Sequence, residues 1–239
     1  MCYHSSITKS REELEAAFDA RFAEPQDYQP IFHGNGFTFL RWPVITAEHP
    51  KLIQGYHWGL IPFWCKSREA ADELRVHTLN AVSETVFEKP SFKHCIRQKR
   101  CLVLSSGFFE WRTSGKLKYP YFVTLKSREL FAMAGLYDRF TDQQTGEVID
   151  TFTVLTTPAN ALMEKIHNSK KRMPAILKKD QEQEWLLGEL NKTAFYRLIT
   201  PYDTNDMQAY SISKRITSRS ENSNVPEVLA PHHYEALND

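Results

Sequence analysis

Residues 101–156 carry four short apolar runs in succession: Cys101–Ser105 (CLVLS), Pro120–Leu125 (PYFVTL), Leu130–Tyr137 (LFAMAGLY) and Thr151–Thr156 (TFTVLT). Each has the length of a strand and is rich in β-branched or aromatic side chains. Ser114-Gly115 and Gln144-Thr-Gly146 provide turn signals between them. Towards the N-terminus, Ser10-Arg-Glu-Glu13 has capping-box spacing and predicts an amphipathic helix through about Phe22. Pro25 to Pro50 is dense in Pro, Gly and aromatics and predicts loops around a short strand near Phe37–Leu40. Towards the C-terminus, Thr157-Pro158 is the predicted N-cap and first-turn proline of a helix running to Ile166. Asp180-Gln-Glu-Gln183 opens a further helix carrying Trp185, Leu186 and Leu187, and a last strand covers Gln208–Ser213. With no repeat, low-complexity linker or internal boundary, the expectation is one α+β domain over residues 1–239. It has an antiparallel sheet, peripheral helices, a core of about 2–231 and a short C-terminal tail.

A chain of 239 residues, 41% of them hydrophobic, can bury one sizeable core. No apolar run approaches a membrane span, and the N-terminus lacks a signal-peptide stretch, so a cytoplasmic protein is expected. Cys2, Cys65, Cys95 and Cys101 form no CxxC pair, and no His/Cys cluster has zinc-ligand spacing. Free thiols, no metal and no cofactor are expected. The net charge of +1 argues against a strongly basic nucleic-acid binder, but the cations are bunched. One group is Lys89, Lys93, His94, Arg97, Lys99 and Arg100. A second is Lys165, Lys170, Lys171, Arg172, Lys178 and Lys179, and a third is Lys214, Arg215 and Arg219. Most charge runs are solvated faces, whereas three in a neutral chain can also build a localised phosphate groove.

The chemistry begins at Met1-Cys2. Methionine removal before a small side chain leaves Cys2 with a free α-amine, of pKa roughly 7.7–8.0, next to a thiol of about 8.5. Such a 1,2-aminothiol forms an imine with an aldehyde and then closes a thiazolidine ring through sulfur. Four other stretches are odd for simple core elements. Trp58-Gly-Leu-Ile-Pro-Phe-Trp64 offers Trp64 either to the core or, exposed, as a stacking platform for a base. Asn80 either caps a turn or serves the site. In Ser106-Gly-Phe-Phe-Glu-Trp111, alternation puts Glu110 on the face of Phe108, where desolvation favours the neutral form a general acid needs; the other reading is a solvent-facing Glu. His167 ends a predicted helix and leads into a basic turn.

Together these stretches resemble the SOS-response-associated peptidase family, the abasic-site processing proteins. The residues that carry the resemblance are Met1-Cys2, Trp58–Trp64, Asn80-Ala81 with Glu84-Thr85, and Lys89-Pro-Ser-Phe92. They continue with Arg100-Cys-Leu-Val103, Gly107-Phe-Phe-Glu-Trp111, Thr156, and Ile166-His167 followed by Arg172-Met-Pro174; a weaker match runs from Ser213 to Pro231. The resemblance implies curled, mainly antiparallel, barrel-like sheets with flanking helices. It also implies a monomeric, self-crosslinking enzyme whose partner is single-stranded DNA containing abasic sites, without membrane or metal. Cys2 would be the nucleophile, Asn80 would hold the terminal residue and its adduct, and Glu110 and His167 would be acid and base. His4, Trp64, Thr156, Lys170, Lys171 and Arg172 would contact DNA. The chain departs from the family in reading Tyr3-His4 where members carry Gly-Arg, in Val82 where many carry Arg, and in two extra residues between His167 and Arg172. Two other functions stay open on the residues: a thiol autopeptidase using Cys2 with His167, and a non-covalent single-stranded DNA-binding module.

Overall fold

In the computed structural model, residues 2–218 and 220–237 are described. In chain order the first strands are β1 (His4–Ile7), β2 (Arg21–Phe22), β3 (Ile31–Asn35), β4 (Arg41–Thr46), β5 (Leu52–Trp58) and β6 (Asn80–Val82). They are followed by β7 (Arg100–Ser105), β8 (Gly107–Ser114), β9 (Leu117–Leu125), β10 (Phe131–Thr141), β11 (Val148–Pro158), β12 (Arg172–Pro174) and β13 (Met207–Ser211). The helices are α1 (Arg11–Phe18), α2 (Arg68–Arg75), α3 (Cys95–Gln98), α4 (Ala161–Ile166), α5 (Glu182–Leu187) and α6 (Lys192–Leu198). The fold is α+β.

The apolar runs 101–105, 131–137 and 151–156 lie side by side as β7, β10 and β11. β4 and β5 continue the sheet from β7, and β5 then pairs in parallel with β11 through His57↔Thr151 and Trp58↔Phe152. The ring β11-β10-β7-β4-β5 is therefore a closed five-stranded barrel, which leaves no open edge around its circumference. Its interior packs Trp42, Trp58, Phe152 and Val103 into the main core. β6 and β12 attach to β11 at the rim, and β2 attaches to β5.

A second, antiparallel sheet in the order β13-β9-β8-β1-β3 packs on the barrel. Phe108 and Val123 of this sheet enter the main core, while Phe109, Phe122 and Ile212 build a separate outer layer. Gly107 makes the close approach of β8 and β9 possible. A Cβ there would stand 2.3 Å from the Phe122 ring and 3.1 Å from the Val123 carbonyl, closer than packed atoms tolerate.

Several sequence expectations need correction. The helix opened by Ser10 has both arms of its capping box, but it stops at Phe18, where Asp19 turns left-handed (φ 48°). Arg21–Phe22 is a strand instead, paired with Leu52 and Ile53. Phe37–Leu40 is a turn centred on a 3-10 segment, and the strands lie on either side of it. Thr157-Pro158 is the end of β11, and the cap of α4 is Asn160, whose side chain accepts from the Met163 N–H. The barrel and the outer sheet both needed these N-terminal strands.

Candidate active site at the seam of the two sheets

The site forms where the outer sheet meets the barrel rim. β1 and β8 run antiparallel, with His4↔Phe109 and Ser5↔Phe108, which carries Cys2 towards Glu110. The Cys2 thiol donates to Glu110 Oε1 at 2.9 Å. Cys2 is 2% and Glu110 3% exposed, so the solvent-facing reading of Glu110 is excluded. Burial, followed by the neighbouring Glu110 carboxylate, pushes the Cys2 thiol well above its ordinary range. At neutral pH the sulfur keeps its proton, which points at the Glu110 carboxyl group.

His167 is the C-cap of α4, and its Nε2 lies 3.9 Å from Glu110 Oε2. Its Nδ1 lies 2.8 Å from the Arg172 carbonyl and 3.3 Å from the Arg172 N–H, so the backbone of Arg172 fixes one edge of the ring and leaves Nε2 facing Glu110. Two contacts hold the imidazole there. Asn168 clamps the α4–β12 turn to β8, its Oδ1 accepting from the Thr113 N–H (3.0 Å) and its Nδ2 donating to the Thr113 carbonyl (2.8 Å). Lys171 closes the turn in a left-handed conformation (φ 50°), with its N–H donating to the His167 carbonyl at 2.8 Å.

Asn80 sits on β6 opposite Val154 and is 7% exposed, yet neither its Oδ1 nor its Nδ2 has a partner among the described residues. A buried amide in that state costs stability unless a bound group satisfies it. The preceding Leu79 carbonyl accepts from Trp58 Nε1 at 2.8 Å. The Trp58 ring lies against Gly36, whose N–H donates to the Tyr3 carbonyl at 2.7 Å. Asn80 is thus tied to the N-terminal segment through Trp58.

A cavity of about 470 Å³ opens beside this cluster, with Tyr3, His4, Glu110, Trp111, His167 and Lys170 in its wall. Lys118 and Thr217 also line it, and neither carried a sequence signal. Lys118 faces the cavity only because β9 folds back along β8.

The expected DNA-contact residues divide. Lys170 lines the cavity, and Lys171 is exposed and lies 3.9 Å from Glu164. Arg172 is spent internally: it grips Glu84 through two nitrogens and donates to the Thr156 carbonyl and hydroxyl. Chiefly through that contact with Arg172, Glu84 is held at about 2. Thr156 is fully buried, so its expected contact with DNA is corrected to an anchor for Arg172. Arg100, counted in the first basic cluster, is likewise buried, and it binds the carbonyls of Trp185, Arg97 and Gly188. Arg219 of the third cluster and Met1 lie outside the described residues. His4 is bonded to His33 across β1 and β3 (2.8 Å); burial and that neighbour depress it to about 3, so it is neutral at physiological pH. Trp64 is 42% exposed, which rejects the core reading, and it borders a different cavity, with Lys66, Leu74 and His77.

A buried thiol, a carboxylate and an imidazole follow one another where the outer sheet meets the barrel, an arrangement of groups able to exchange protons around the second residue. The family model described as SOS response associated peptidase (SRAP) matches residues 1–219, and the chain belongs to that family. It is 40% identical over 235 residues to the abasic site processing protein YoqW of Bacillus subtilis, covering 97% of this chain and 100% of that protein. It is 31% identical over 236 residues to the abasic site processing protein HMCES of Pongo abelii, covering 87% of this chain and 63% of that one. A crystal structure of a protein from Bacteroides thetaiotaomicron superimposes with a TM-score of 0.91 at 40% identity, over 97% of this chain and 100% of that one.

Proposed function

We propose that the protein processes abasic sites in single-stranded DNA by linking them covalently to Cys2. The observation that carries this reading is the 2.9 Å contact between the Cys2 thiol and Glu110, with His167 beyond it at the wall of an open cavity. An abasic deoxyribose is mostly a closed hemiacetal. A general acid at Glu110 protonates the ring oxygen as its bond to C1′ breaks, and the 1′-hydroxyl gives up its proton, leaving an aldehyde. Once Met1 is removed, the Cys2 amine adds to C1′; the oxygen takes up a proton and departs as water, giving an imine. Sulfur then adds to the imine carbon, and the thiol proton passes through Glu110 to the nitrogen. One water is lost in all, with no oxidant or reductant. Because thiol and imine sit on one residue, ring closure is intramolecular, where effective molarities reach ~10⁵–10⁸ M.

The remaining residues take supporting roles in this reading. Asn80 offers its amide to the Cys2 amine and the adduct, His167 exchanges protons with Glu110, and Lys118 and Lys170 hold phosphates. Trp64 stacks on a base, and Lys171 adds positive charge near the turn. In the thiol-peptidase alternative the imidazole would be the partner of sulfur, whereas here the thiol donates to the carboxylate. That arrangement favours the crosslinking reading.

Mass spectrometry after incubation with abasic single-stranded DNA tests it. The expected species is the chain lacking Met1 plus the oligonucleotide minus one water. Inserting one alanine before Cys2 should abolish that species although the thiol remains. Crosslinking at the normal rate by the extended protein would refute the aminothiol mechanism.

A further inference from the structure

Arg172 makes two sets of contacts, one to the imidazole of the site and one to the segment that carries Asn80. Its backbone borders the His167 ring, with the carbonyl 2.8 Å and the N–H 3.3 Å from Nδ1. Its guanidinium grips Glu84, Nη1 donating to Oε1 and Nη2 donating to Oε2 at 2.9 Å. The same Nη2 donates to the Thr156 carbonyl at 2.6 Å and lies 3.3 Å from the Thr156 hydroxyl. Ser83 Oγ steadies the carboxylate, donating to Glu84 Oε2 at 2.8 Å.

The strand order explains what this side chain spans. β11 has β6 on one side, through Val154↔Asn80 and Thr156↔Val82, and β12 on the other, through Thr156↔Pro174 and Pro158↔Arg172. Arg172 therefore reaches from β12 across β11, over Thr156, to the segment that continues β6. Asn80 starts that strand, and Glu84 lies four residues further on, in the 3-10 turn Ser83–Thr85. One ion pair thus joins the strand of Asn80 to the turn of His167. Two N–H···O bonds from a planar guanidinium set an angle as well as a distance. The Glu84 side chain is 47% exposed, so the attraction of the charges adds little to stability. What the pair contributes is geometry.

We propose that Glu84 and Arg172 are positioning residues: a yoke across β6, β11 and β12 that sets His167 against Glu110, so that Arg172 acts on crosslinking through His167 and not by gripping DNA. The inference rests on the acid/base reading of His167 given above. His167 Nε2 lies 3.9 Å from Glu110 Oε2, so a small shift of the turn decides whether the two groups meet. Reaction rates are steep in such distances, and a misplacement of about 1 Å can cost ~100-fold. Asn168 still ties the turn to Thr113 when the yoke is lost, so His167 is loosened and not released. A lysine at position 172 would keep the charge but not the two-pronged grip, and so would not replace it.

The test uses the whole protein, with single-turnover crosslinking at saturating abasic DNA and, separately, binding to oligothymidylate, which cannot react. Glu84→Gln, at a half-exposed position, should slow crosslinking roughly 3–30-fold, short of the full cost of a 1 Å misplacement. Its affinity for oligothymidylate and the slope of log Kd against log salt should stay at wild-type values. Arg172→Lys should slow the reaction to a similar degree. In a His167→Ala background Glu84→Gln should cost nothing further, because two residues acting through one group are not additive. An equal loss in that background would mean that the pair acts elsewhere, and would overturn the proposal. Tighter binding in Glu84→Gln, with a slope steeper by about 0.7, would mean that the freed Arg172 clamps a phosphate, and would overturn it too. So would wild-type rates in both Glu84→Gln and Arg172→Lys. If His167→Ala alone reacts at the wild-type rate, there is no imidazole role to position and the inference falls. If the wild-type protein forms no crosslink, the reading of the site falls first, which separates that failure from a failure of the yoke.

Discussion

Glu110 and Asp138 are both buried carboxylates that receive a cysteine thiol, and they do opposite things. Glu110 accepts from Cys2 at 2.9 Å and faces His167 at 3.9 Å, two groups that can themselves exchange protons. Asp138, 1% exposed, takes a distant contact from Cys95 at 3.7 Å, but its oxygens also hold Lys99 Nζ at 2.6 Å and the N–H groups of Phe63 and Arg139 at 2.9 Å each. A cation and two amides, none of which gives up its proton near neutral pH, hold Asp138 in place. What it anchors is the loop that displays Phe63 and Trp64, 56% and 42% exposed. Burial alone therefore does not mark a catalytic carboxylate. The proton inventory of its neighbours does.

Substitution at the first carboxylate should have the largest effect. Glu110→Gln keeps the shape but removes the exchangeable proton, and should slow crosslink formation ~10²–10⁴-fold with little change in melting temperature. Release of a preformed crosslink should slow too, by microscopic reversibility. The same variant removes the second cause of the high Cys2 range, leaving burial. A group held upward stays protonated to higher pH, so alkylation of Cys2 by iodoacetamide should set in at lower pH in the variant than in wild type. Unchanged forward and reverse rates would make Glu110 structural, and the contrast with Asp138 would vanish.

Asp138→Asn should behave in the opposite way. It weakens the hold on Lys99 and the Phe63 N–H and should cost about 1–3 kcal/mol of stability. The lower end is expected because Lys99 is 39% exposed and partly solvated. Crosslinking at saturating DNA should be unchanged, which a denaturant titration paired with single-turnover kinetics would check. The smallest structural disturbance is expected of Trp64→Ala: binding to single-stranded DNA weaker by about 1–3 kcal/mol, with the melting curve nearly superimposable. A large drop in melting temperature would show that this side chain supports the fold after all.

Much of the site was legible in the sequence, though unevenly. Alternation along β8 put Glu110 on the face of Phe108, and the structure keeps it there because successive strand residues point to opposite sides. The four apolar runs from Cys101 to Thr156 became β7, β9, β10 and β11 nearly in place. Where Pro, Gly and His interrupt the pattern, the sequence misled. β3 and β4 straddle the stretch expected to be a strand, since their residues are held by pairing with β1, β5 and β7 rather than by local propensity. Thr156 and Arg172 look like surface contacts in sequence, yet they bond to each other because β12 folds back on β11.

By itself the sequence marked the candidate reactive group, since the place of Cys2 directly after Met1 depends only on covalent order. It also determined the strands with strong apolar character and the chain's place among its relatives. Tertiary structure alone decided which of these groups lie within reach of one another. Cys2 and Glu110 are 108 positions apart, and β1–β8 pairing together with the folded α4–β12 turn brings their thiol, carboxylate and imidazole within about one side-chain length. It also decided which cations remain available, because Arg100 and Arg172 satisfy buried carbonyls and Glu84 while Lys118 and Lys170 line the cavity. The physical reason is common to both: charge and proton affinity depend on burial and on neighbours, and distant segments become neighbours only when the two sheets close on each other.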